Sequence, residues 1–154
     1  MKIMDFLNPK AICPELKATT KEGVIRELSA LLAKAGVMKD DKALTKALLD
    51  REALGSTGIG QGVGIPHGKC PQVKQLVSAF GISKKGVDFN ALDGEPVYIF
   101  FLLLAPEDSA GPHLKALARI SRLLKDKYVR DSLIKSPDEK EMLRFLKEED
   151  EKRP

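Results

Sequence analysis

Two of the 154 residues are histidine, His67 and His113, and the chemistry of the chain is sought there first. Imidazole has an ordinary pKa of about 6.5, so it is largely neutral and nucleophilic near physiological pH. It can attack phosphorus and hold the group as a phosphoramidate that is easily passed on. His67 follows Pro66, which restrains the local backbone. It lies at the end of a glycine-rich segment, residues 55–68, GSTGIGQGVGIPHG, which holds six of the chain's 12 glycines. Such a run permits positive φ, lets a ligand or partner approach the main chain, and can turn successive N–H groups toward an anion. His113 falls at the start of a predicted helix, where the dipole favours an anion and disfavours imidazolium. Arg51 stands three residues beyond Leu48 and seven beyond Leu44, on the inward edge of a predicted helix. A guanidinium there needs a partner or a purpose, and its fork fits two phosphate oxygens. Each candidate also has a structural alternative. His113 reads equally as a surface residue, Arg51 as a rim ion pair with Asp50 or Glu52, and the Ser56 and Thr57 hydroxyls as turn stabilisers rather than phosphate donors.

Other chemistries fail on spacing. A Walker loop would need Gly at position 63 and Ser or Thr at 70, where the chain has Val63 and Cys70. The dinucleotide pattern breaks at Val63 in one register and at Ile65 in the other. There is no HExxH, and two histidines 46 residues apart make no metal signature. Cys13 and Cys70 form neither a CxxC motif nor a disulfide framework, and read as two idle thiols.

The elements that must position these residues follow from periodicity and punctuation. A helix is expected from Thr19 to Gly36, with Thr19 and Glu22 at capping-box spacing and Val24, Leu28, Leu31, Leu32 and Ala35 on one face. A second is expected from Asp40 or Asp41 to Leu54, with Leu44, Ala47 and Leu48 inward and Gly55 as its stop. Two strands are expected, residues 76–83 and then, led into by residues 86–90 and the turn residues Asp93-Gly94, the nine-residue apolar run Val97–Ala105, which suits a central strand covered on both faces. A third helix should open near Pro112 with Leu114, Leu117, Ile120 and Leu124 toward the core, and a short one should cover residues 129–134. A last helix should start at Ser136-Pro137-Asp138-Glu139. One domain is expected over residues 1–148, with 149–154 a frayed, solvated tail. The alternation of helices and strands indicates an α/β fold, a single-domain sandwich with a mixed sheet flanked by helices.

Composition narrows the function classes. The hydrophobic fraction of 43% supports an ordinary core. The net charge of +4 is scattered, and there is no Trp to stack on bases, so no nucleic acid is expected as a partner. The longest apolar run is far short of the roughly 20 residues of a membrane span. The N-terminus MKIMDFLNPK lacks an apolar signal region, so a cytoplasmic protein without membrane insertion is expected.

The stretch LLDREALGSTGIGQGVGIPHG resembles the active-site signature of the mannitol/fructose-type (type 2) IIA domains of the phosphoenolpyruvate-dependent sugar phosphotransferase system, a family that includes the nitrogen-regulatory IIA proteins. Glu52, Ile59-Gly60, Val63, Ile65, Pro66, His67 and Gly68 fit its pattern, and Gly64 stands where Ala is usual. The opening DFLNPKAI, the segment APEDSAGPHLKALARISRLLKD and the terminal SPDEKEMLRFL resemble other parts of the family, so the likeness spans nearly the whole chain. It implies that His67 is the phosphorylated nucleophile, that His113 neighbours the phosphate and that Arg51 stabilises the phosphorylated state. Backbone amides of the glycine segment, including Gly58, Gly60 and Gly62, with Ser56 and Thr57, would complete the phosphate loop. The donor would be phospho-HPr or its nitrogen-branch relative, and no metal or organic cofactor is required. A chain without a fused transport domain is expected to be the nitrogen-regulatory kind, read by regulatory target proteins. The alternatives are a fructose- or mannitol-specific component passing phosphate to a IIB domain, and a binding module that no longer transfers phosphate.

Overall fold

A computed structural model describes residues 1–154. Six strands form one mixed sheet: β1 (Leu7–Cys13), β2 (Gly58–Gly60), β3 (Val63–Gly64), β4 (His67–Lys69), β5 (Val77–Val87) and β6 (Val97–Ala105). The order is β1-β5-β6-β3-β2, with β4 also pairing β6. β1/β5, β3/β6 and β4/β6 are parallel, whereas β5/β6 and β2/β3 are antiparallel. The apolar run 97–105 becomes β6, and its alternating side chains feed two cores. Ile99, Phe101 and Leu103 pack beneath α3 (Ala110–Leu124), α4 (Lys127–Lys135) and α5 (Glu139–Glu151). Phe100, Leu102 and Leu104 pack beneath α1 (Lys21–Lys34) and α2 (Asp41–Ala53). No helix is long and apolar enough to cross a membrane.

Several elements differ from the sequence expectation. β1 lacks a strict alternation and contains Pro9, so its pattern hides a strand. Six residues, Leu7 to Ile12, span only Ser78 to Phe80 on β5, and this irregularity accommodates the proline at the sheet edge. The expected strand 76–83 is longer, since β5 continues to Val87 with a register shift before that residue. Gly86 there takes φ +83°. The cap of α1 is Thr20, not Thr19, and its hydroxyl accepts from Gly23 N–H at 3.1 Å. α5 is capped by Asp138 rather than Ser136, with Oδ1 accepting from Glu141 N–H. Leu114 is 68% exposed, and Ala47 also faces outward. The buried stripe of α3 is Ala116, Arg119, Ile120, Leu123 and Leu124, and the helix starts two residues before Pro112.

The expected frayed tail at 149–154 is corrected most clearly. α5 continues to Glu151, and Asp150 is 2% exposed. Its carboxylate accepts from Arg119 Nε at 2.7 Å and from Ile3 N–H at 2.6 Å. A charged run that looks solvated in sequence is thus drawn inward by one buried arginine.

Candidate functional site

β3 and β4 are two pieces of one line that runs parallel to β6, interrupted by Ile65-Pro66. Ile65 N–H donates to Thr57 O, and Pro66 O accepts from Leu103 N–H, so the interruption remains hydrogen-bonded. His67 is set opposite Leu103 at the start of β4. Its Nδ1 lies 2.7 Å from the carbonyl of Ile65, two residues back. A carbonyl can only accept, so Nδ1 carries a proton, and in the neutral ring the lone pair is on Nε2.

His113 reaches the same place from the first turn of α3. The two rings meet edge to face with centroids 5.5 Å apart. Burial first, then the neighbouring His67 and Lys69, hold the His113 pKa below the ordinary histidine value of 6.5. Its Nε2 is buried and has no hydrogen-bond partner. The His113 main-chain N–H, by contrast, is committed to Ser109 O at 3.0 Å. Pro112 has no N–H, so it adds no donor to this turn.

Arg51 comes from the last turn of α2. Its guanidinium donates to Gly55 O at 2.9 Å. The rim ion pair considered from sequence is absent: Asp50 is held by Lys46 and Glu52 by Lys21. Arg51, Ser56, Thr57 and His67 face Leu117 and Ser121 of α3 across a cleft of about 210 Å³. Its wall contains no carboxylate. Leu54, Ile59 and Leu114, three apolar side chains near these residues in the chain, are exposed.

The loop residues have other employment. Ser56 Oγ donates to Phe89 O at 2.7 Å and accepts from Gly58 N–H at 3.0 Å. Thr57 donates both its N–H and its hydroxyl to Glu52. Both hydroxyl protons are therefore spent on acceptors outside the glycine segment, Phe89 O and the Glu52 carboxylate. Gly58, Gly60 and Gly62 do not line the cleft. A side chain at Gly58 would put Cβ 2.9 Å from Ala91. Gly60, Gln61 and Gly62 all take positive φ in the β2–β3 turn. That turn is held from both sides: Gln61 N–H donates to Asp93 Oδ2 at 3.0 Å, and Arg130 donates to the Gln61 amide oxygen at 3.2 Å.

Sequence reasoning did not single out two residues that shape the loop, Glu52 and Lys21. Glu52 was visible as a position in the resembling pattern and as a possible partner of Arg51, a pairing it does not make. Lys21 lies 31 residues away, with no local signal linking it to the site.

Comparison with known proteins bears on the whole chain. Residues 5–149 match the family model described as phosphoenolpyruvate-dependent sugar phosphotransferase system, EIIA 2. A nitrogen regulatory protein of Bradyrhizobium diazoefficiens is 44% identical over 138 residues, covering 90% of each chain. The fructose-specific EIIABC component of Bacillus subtilis is 39% identical over 150 residues, which are 97% of this chain and 24% of that protein. The crystal structure of the nitrogen regulatory protein IIA-Ntr of Neisseria meningitidis superposes with a TM-score of 0.86, at 35% identity, over 94% of this chain and 98% of that one.

Proposed function

Because the chain belongs to the EIIA type 2 family of the phosphoenolpyruvate-dependent sugar phosphotransferase system, a family of phosphocarriers, we propose that it accepts a phosphoryl group on Nε2 of His67 from a phosphohistidine carrier of the HPr kind, and that target proteins read its phosphorylation state. One observation supports this above the rest: the Ile65 carbonyl holds the Nδ1 proton of His67, so the other nitrogen is free to attack. The P–N bond to the carrier breaks as the bond to Nε2 forms, and the departing nitrogen keeps the electron pair. The His67 ring becomes cationic, and its Nδ1–H stays on the Ile65 carbonyl. Charge on the phosphoryl oxygens is spread in a loose transition state. Arg51, in a cleft without acids, and an Nε2–H of His113, beside His67, donate to that charge. The exposed Leu54, Ile59 and Leu114 give the carrier an apolar landing surface, suited to a small, short-lived contact.

The regulatory branch is favoured by the relative at 44% identity, which matches over nearly its own full length. The fructose relative keeps a second reading in view, phosphate passed onward to a IIB domain for sugar uptake.

The test is incubation with phosphoenolpyruvate, enzyme I and each kind of HPr, read by intact mass. Wild type should gain one acid-labile phosphate and His67→Ala none. The better donor separates the two branches. Absence of phosphate from both donors would overturn the proposal and leave a binding module.

A further inference from the structure

The cleft has no acid on its wall, yet one lies directly behind it. The side chain of Glu52 is 3% exposed. Glu52 follows Arg51 in the chain and accepts from Thr57, and both of those neighbours line the cleft. The position is doubly unfavourable for a carboxylate. It is buried, and it lies in the last turn of α2, at the negative end of the helix dipole. Its cation, Lys21, is the first residue of α1, where a dipole disfavours positive charge. Each charge thus sits at the wrong helix end, and the 2.9 Å contact between them is what makes both tenable. Lys21 is further fixed by donating to Phe89 O at 3.3 Å, with Nζ 4.7 Å above the Phe89 ring centre. Phe89 O also receives the Ser56 hydroxyl, so the lysine and the loop share an anchor.

We propose that Lys21 is a positioning residue for phosphoryl acceptance. It neutralises Glu52, so that the carboxylate can pin Thr57 without drawing Arg51 away or repelling the incoming phosphoryl dianion. Lys21 does not line the cleft and acts through Glu52. The role rests on the reading of His67 as the phosphoryl acceptor. Its signature is electrostatic: removing the lysine alone exposes a negative charge behind the cleft, and removing both charges does not.

The experiment measures the rate of phosphate uptake from the phosphorylated HPr-type carrier, and the fraction phosphorylated at equilibrium. The proteins are wild type, Lys21→Met, Glu52→Gln and the double variant, with melting curves as folding controls. Met keeps the apolar stem over Phe89, and Gln keeps an oxygen for Thr57. Lys21→Met should slow uptake by about tenfold and lower the equilibrium fraction, as expected for a like charge left near the reacting group. The double variant should return to within about threefold of wild type. Uptake by Lys21→Met at the wild-type rate would overturn the proposal. So would a double variant as slow as the single one. Should Lys21→Met fail to fold, a folded double variant more than about tenfold slower than wild type overturns it by itself. Failure of wild type to take phosphate would instead strike the His67 reading.

Discussion

Two ion pairs with a buried carboxylate tie together segments distant in the chain, and they are built alike. Asp150 and Glu52 each lie in the last turn of a helix, α5 and α2. Each accepts from a backbone N–H of another segment, Ile3 or Thr57, and from one cation of a different helix, Arg119 or Lys21. The difference lies in what the cation does with its remaining donors. Arg119 sends one nitrogen to Asp150 O and on to Arg153 O, saturating the helix end. That knot joins the beginning of the chain, α3 and α5, and its loss is a loss of fold. Lys21 makes fewer bonds and is partly exposed. Its pair joins α1 and α2 to a loop that must also receive a ligand. The same device therefore serves cohesion in one place and loop geometry in the other.

Breaking each pair should separate those roles. Asp150→Ala leaves Arg119 buried without its carboxylate, and should cost about 3–5 kcal/mol in urea denaturation. Phosphate uptake per folded molecule should stay near wild type. Glu52→Ala removes the acceptor of Thr57 N–H and hydroxyl, and should cost less, about 1–3 kcal/mol. Its uptake of phosphate should fall more than that of Asp150→Ala. If the two variants lose uptake in equal measure, the division is wrong.

A pH titration sharpens the contrast from the site side. Burial holds the folded His113 pKa below 6.5. Below that value the unfolded chain binds a proton that the folded chain refuses, so stability should drop as pH falls through and below 6.5. Urea midpoints of His113→Gln should show a flatter acid limb than wild type. The smallest effect expected is that of Gly64→Ala, the position where the chain departs from the resembling pattern. A Cβ there would stand 3.2 Å from Val97 Cγ1 and 3.4 Å from Phe100, so the added methyl should cost about 1 kcal/mol by thermal melt. The glycine leaves Val97 and Phe100 room to pack close to β3.

These cases show what could be read in advance. Long periodic helices and the apolar run of β6 declare themselves, because one face or both faces must be covered. His67, His113 and Arg51 were legible as residue types in suggestive places, and the pattern around His67 gave them company. β1 was not legible, since Pro9 and an irregular register erase its alternation. Asp150 was not, because nothing in KEEDEKRP announces a partner at position 119. Lys21 was hidden for the same reason. Pairings between distant charges leave no local periodicity, and here they decide how the loop behind the cleft is held. Ser56 and Thr57 were visible as hydroxyls, but only the structure shows where their protons go.

The hydrogen bond from His67 to the Ile65 carbonyl has an evolutionary consequence. Where a side-chain carboxylate orients an imidazole, one substitution removes the orientation. Here the main chain does it, and every amino acid at position 65 supplies the same carbonyl. The basic nitrogen of His67 is thereby insulated from drift in the surrounding side chains. The cleft's rim can diversify to suit new partners while the nucleophile stays as it is.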